Sequence, residues 1–159
     1  MNSMGVCLWF DDQAQEAADF YVDVLPDSRI LDVSHYGEGT PQPAGSVMTV
    51  RMLLDGLEVT ALNGGPVYEI TPAVSLVVTC LAQAEVDRLW ARLTDGGQEI
   101  RCGWLTDRFG VSWQVIPAGL GELLGSSDRA AAQRATAAML TMVKLDIDAL
   151  RRAYAGEPT

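Results

Sequence analysis

Two helical stretches of this chain repeat each other at a fixed distance, and that repeat limits the fold more than any other feature. Glu85 follows Glu16 by 69 residues (85 − 16), and at the same shift Leu89 follows Phe20, Trp90 follows Tyr21 and Leu93 follows Val24. The strands ahead of them match better at 68 (78 − 10), Val78 with Phe10 and Leu76 with Leu8, which implies one extra turn residue in the second copy. Around each helix the apolar periodicity reads strand, helix, strand, strand, strand. In the first copy these are Val6 to Phe10, about Ala14 to Val24, Arg29 to Tyr36, about Ser46 to Leu54 and Leu57 to Asn63, the last two joined by Asp55-Gly56, a strong hairpin signal. In the second they are Val74 to Thr79, Gln83 to Leu93, about Gln98 to Cys102, Trp104 to Thr106 and Val111 to Ile116.

A unit of this kind leaves one sheet face uncovered by a helix, and two such units can bury or share that face, which predicts a cleft between them. The expected fold class is therefore α+β. Two βαβββ modules, at about 5–66 and 74–118, make up a single domain over 1–125, and a helical extension follows over 126–159. The extension reads as a helix from Asp128 to about Val143, with Ala135, Met139 and Met142 in one packing stripe, and a short helix from Ile147 to Tyr154 capped by Asp146. A carboxylate of Asp11 or Asp12 is expected to cap the first helix.

Strand alternation sorts the side chains. In the last strand Val111, Trp113 and Val115 form the packing face, which leaves Ser112, Gln114 and Ile116 on the other. The same parity sends Cys7 and Trp9 of the first strand, and Ser75 and Val77 of its repeat, toward the cleft. Adding the neighbouring strand ends gives the candidate ligand-binding residues: Cys7, Trp9, Asn63, Ser75, Val77, Cys102, Trp104, Ser112 and Gln114. Indole and thiol walls with a few neutral hydrogen-bonding groups suit a partly apolar small molecule.

Charge and cysteine content narrow the function further. A formal net charge of −10 argues against nucleic acid as a partner, because phosphate binding needs clustered Lys and Arg. No run is long enough to cross a bilayer and the opening residues lack a signal-peptide pattern, so a cytoplasmic protein is expected. The three cysteines, Cys7, Cys80 and Cys102, form no CxxC pair and suggest neither a disulfide framework nor a structural zinc site. The only histidine, His35, stands beside a Gly/Pro loop and reads as a surface or loop-packing residue. Asp11, Asp12 and Asp107 fall at strand ends or turns, where capping and solvation account for them.

The residues also carry a resemblance. Cys7-Leu8-Trp9-Phe10-Asp11, Phe20-Tyr21, Pro26-Asp27-Ser28, Ala61-Leu62-Asn63-Gly64-Gly65-Pro66, Cys102-Gly103-Trp104, Asp107, Phe109-Gly110 and Trp113-Gln114 together resemble the PhnB-like branch of the vicinal oxygen chelate (glyoxalase/bleomycin-resistance) superfamily, often labelled 3-demethylubiquinone 3-methyltransferase-like. The resemblance runs over nearly the whole chain, helical tail included. It implies paired βαβββ modules whose curved sheets enclose a cavity, usually in homodimers, and in catalytic members a divalent metal held by His and Glu. The metal-binding glutamate of such members would fall at Gln114, and neither first strand offers His, Asp or Glu within its body. No metal or other cofactor is expected, and no catalytic residue is assigned. S-adenosylmethionine binding in its common fold needs a Gly-rich strand-to-helix turn, and no such turn opens a helix here. The expectation is a metal-free small-molecule binding protein and homodimer with an unidentified ligand. The competing expectation is an enzyme of the superfamily with altered chemistry, of lyase, dioxygenase or transferase type, with Cys7 or Cys102 as the reactive group.

Overall fold

The computed structural model describes residues 4–157. Its chain divides into two compact units, the first running to Ile70 and the second starting at Thr71. In the first, β1 (Val6–Phe10), α1 (Ala14–Val24), β2 (Arg29–His35), β3 (Val47–Leu54) and β4 (Leu57–Asn63) build a sheet of order β1-β4-β3-β2. In the second, β5 (Ser75–Cys80), α2 (Gln83–Thr94), β6 (Gln98–Glu99), β7 (Trp104–Thr106) and β8 (Ser112–Pro117) repeat that order as β5-β8-β7-β6. In both sheets the first strand pairs parallel with the last, and the other pairings are antiparallel.

The repeat positions have the same fate in both units. Leu8 and Phe10 are buried like Leu76 and Val78, and Tyr21 and Val24 like Trp90 and Leu93. These residues fill the layer between helix and sheet, the side that the 3.6-residue period of the helix and the alternation of the strand select together. The extra residue of the second copy lies in the strand and not in the turn. β5 continues to Cys80, and only Leu81-Ala82 separates it from α2, against Asp11-Asp12-Gln13 in the first unit.

Several local expectations are corrected. Neither Asp11 nor Asp12 caps α1; its N-cap is Gln13, and the amide of Ala14 is met by Asn63 Oδ1 at 2.7 Å. The strand expected over 98–102 stops at Glu99, because Cys102 (φ 61°) and Gly103 (φ 80°) turn left-handed and leave the ladder. Asp107 is not solvated but 3% exposed. A helix unforeseen from the sequence, α3 (Leu120–Leu124), precedes α4 (Arg129–Met139) and α5 (Ile147–Ala155). Asp128 and Asp146 cap α4 and α5 through the amides of Ala131 and Ala149. Met142 lies beyond the end of α4, so the Ala135/Met139/Met142 stripe is not a single helical one.

The three C-terminal helices pack with the second unit around Leu120, Leu145 and Leu150, with Ile116, Met139 and Met142 against that cluster. Gln83 at the start of α2 ties the tail on by accepting from the Ile147 amide and donating to the Leu145 carbonyl, both at 3.0 Å. No helix among the described residues is long and apolar enough to cross a membrane.

Candidate functional site

Cross-strand register shows which side chains share the face opposite α2. Ser75 lies opposite Ser112, which lies opposite Thr106; Val77 lies opposite Gln114, which lies opposite Trp104. Five of the nine candidates, Ser75, Val77, Trp104, Ser112 and Gln114, are thus neighbours in two adjacent rows of one sheet. The amide of Gln114 donates through Nε2 to Ser75 Oγ at 2.9 Å, which leaves Oε1 able to accept. Val77 is 61% exposed beside it, and Trp104 is half-buried on the other side. Ser112 is fully buried, and its hydroxyl is the buried side-chain polar atom without a partner among the described residues. An unpaired buried hydroxyl costs about 1–3 kcal/mol, which a buried water accepting from it would recover.

Of the other four candidates, Cys7, Trp9 and Asn63 belong to the first unit and Cys102 to the second. Cys7 and Trp9 share a face of the first sheet, Cys7 opposite Thr60 and Trp9 opposite Leu62. Trp9 Nε1 donates to the Gly65 carbonyl at 2.9 Å, and its ring meets Tyr68 edge-on with centroids 4.9 Å apart. Gly64 has to be glycine at this point, since a Cβ there would run into the indole. Asn63 belongs to the helix side of its sheet, opposite Phe10. Its side chain joins the Ala14 amide to the Val47 carbonyl, and its own carbonyl accepts from Tyr36 Oη, so it fastens the helix to the sheet. With Asp11, Asp12 and Tyr36 it also lines a pocket of about 370 Å³. Cys102 sits in the turn before β7 with its thiol 3.6 Å from the Met139 carbonyl.

The chemistry available follows from these groups. Cys7 is exposed, and partial desolvation raises its thiol above the ordinary range; burial pushes that of Cys80 to about 11, with Glu85 adding to the rise, so neither is a ready thiolate at neutral pH. The donors on the Gln114 face are hydroxyls and an amide. A hard divalent cation takes several oxygen ligands with carboxylates among them, and among the described residues no three His, Cys, Asp or Glu are grouped to hold an ion. The residues present do not fit the metal that catalytic members of the resembled superfamily hold.

Sequence reasoning missed Asp107. Its carboxylate accepts from the Phe109 and Val111 amides and from Trp113 Nε1 at 2.8 to 3.0 Å, which pins the β7–β8 turn and orients the strand that carries Gln114. The signal was present in the turn spacing Asp107 to Gly110, but nothing in it revealed that the carboxylate is buried.

Comparison with known proteins places this geometry. A family model described as 3-demethylubiquinone-9 3-methyltransferase matches residues 2–116, so the match ends before the helical tail that the resemblance had included. The PhnB protein of Bacillus cereus is 31% identical with a TM-score of 0.68, over 74% of this chain and 100% of that one. A Pseudomonas aeruginosa protein is 25% identical with a TM-score of 0.62, over 74% of this chain and 98% of its own. The fosfomycin resistance protein FosX of Listeria monocytogenes, solved with Mn(II) and sulfate, shares the fold alone at 15% identity and a TM-score of 0.54, over 78% and 95% of the two chains. No curated protein matches. With a family match over most of its length and a relative above 30% identity covered end to end, the chain belongs to the 3-demethylubiquinone-9 3-methyltransferase-like, PhnB-like branch of the vicinal oxygen chelate superfamily and has the glyoxalase/bleomycin-resistance fold.

Proposed function

We propose that the chain is a metal-free small-molecule binding protein that uses the Gln114 face of its second unit for a neutral, ring-bearing ligand. The observation that carries this reading is the Gln114–Ser75 hydrogen bond flanked by Val77 and Trp104. It holds a neutral acceptor, Gln114 Oε1, beside an indole and an exposed aliphatic side chain. The residues of β5, β7 and β8 on this face carry no ionisable group, so a charged ligand would give up its hydration there without a counter-charge. Methyl transfer, which the family description names, is not part of the proposal. The turns into α1 and α2, Asp11-Asp12-Gln13 and Leu81-Ala82, contain no glycine to bring backbone against a nucleotide cofactor.

We also propose a homodimer, because Val67, Tyr68 and Leu81 expose 66–88% of their surface. Sedimentation as a monomer at micromolar concentration would count against it. The binding reading is tested by thermal-shift screening against neutral phenols, quinones and lactams, since a ligand that binds only the native state raises its apparent stability. Hits whose shift disappears in Gln114→Ala are expected. Hits confined to charged compounds and unaffected by that change would refute the reading.

A further inference from the structure

We infer that the C-terminal helices form the end wall of the Gln114 face and set the length of ligand it accepts. This rests on the binding reading above and goes beyond it, because it assigns a role to a segment outside the family match. That match ends at residue 116, and the whole of the Bacillus cereus protein corresponds to 74% of this chain. The remaining helices are therefore an addition to a unit that relatives have without them.

The addition meets the strand that bears Gln114 at Ile116. Ile116 follows Gln114 by two residues on the same strand face, and it packs on the cluster of Leu120, Leu145 and Leu150 together with Met139 and Met142. Two residues along a strand span roughly 7 Å, so the tail begins about one ring's width beyond Gln114. The turn before β7 fixes its position: the Cys102 amide donates to the Met142 carbonyl at 2.9 Å and the Gly103 amide to that of Val143 at 2.8 Å. Gly103 is required for this approach, since its φ is 80° and a Cβ would stand 2.9 Å from both the Leu145 side chain and the Val115 carbonyl. The tail is thus held at two backbone bonds, at the Gln83 side chain and at a Lys144–Asp87 ion pair of 2.6 Å. A segment fastened by so many directional bonds stops a ligand at a definite point. Its two methionines are the side chains whose volume decides where that point falls.

The test uses the full-length protein and a series of 4-alkylphenols from phenol to 4-octylphenol, with binding followed by calorimetry. In the unaltered protein affinity should rise with the first methylenes and then fall at a cut-off length. In Met139→Ala/Met142→Ala the cut-off should move out by about two or three methylenes, with the first excluded member gaining tenfold or more and phenol itself changing less than twofold. Gln83→Ala, which loosens the tail without touching the face, should move the cut-off in the same direction and guards against a misfolded double variant. A cut-off that stays put in both variants, or a uniform change across the series, would overturn the inference while leaving the binding reading intact. Failure of every phenol to bind in any variant would overturn both.

Discussion

The two units share one topology yet present unlike open faces. On the first sheet the face opposite α1 carries Asp32, Arg51 and Glu58, with an Arg51–Glu58 pair at 2.7 Å in the open, and a tryptophan already occupied by Gly65 and Tyr68. On the second sheet the corresponding rows carry Ser75, Val77, Trp104, Ser112 and Gln114 and no charge. The hairpins differ in the same sense. The first unit turns through Asp55-Gly56, both at positive φ and both exposed, whereas the second turns around the buried carboxylate of Asp107. Duplication fixed the frame. What differs is where each copy places its polar groups: at the surface in the first, under the strand that bears Gln114 in the second.

The largest expected effect separates the two hairpins. Asp107→Ala strands three donors, two of them backbone amides in the β7–β8 turn, and should destabilise the protein by about 3–5 kcal/mol in chemical denaturation. Asp55→Asn keeps a residue that tolerates positive φ in an exposed turn and should cost less than about 0.5 kcal/mol. Equal costs would mean that the buried carboxylate has no special part in holding the second face.

A smaller effect is expected at the site itself. Gln114→Glu keeps the shape and can accept from Ser75 Oγ, so at this half-buried position it should cost about 1 kcal/mol and raise affinity for divalent ions. A loss of several kcal/mol would place Gln114 in the core and remove the comparison between the faces.

The smallest concerns the tail. The hydrogen bond from Lys144 holds the Asp87 carboxyl below its usual range, with Gln83 assisting. Because the folded-state value is depressed, the contribution is fully present above the unfolded carboxylate pKa of about 3.9 and is lost as pH falls through the folded one. Both side chains are well exposed, so the effect is slight. The Tm difference between the unaltered protein and Lys144→Ala should be small at pH 7 and shrink as pH falls below the unfolded carboxylate value. A difference that grows on acidification would contradict the pairing.

Much of this frame is legible in the sequence, for identifiable reasons. The sheet faces follow from alternation in β1, β5 and β8, and the bounds of α1 from a clean apolar period ended by Pro26, because both signals are local. What stays hidden is non-local or disguised. Asn63 meets the α1 N-terminus from 49 residues away, which no spacing rule encodes. α3 is masked by Gly119, Gly121 and Gly125, and β6 is cut short by the left-handed Cys102-Gly103 pair. At the site, parity groups Ser75, Val77, Ser112 and Gln114, but it cannot tell that Asn63 fastens a helix or that the tail reaches Ile116.

The central claim is that the second unit's face serves a neutral ligand without a metal, and calorimetric titration of chelator-treated protein with manganese, nickel and zinc tests it most directly. The account predicts no sub-micromolar binding in the unaltered protein and a gain in Gln114→Glu. Sub-micromolar binding that disappears in Gln114→Ala would contradict it.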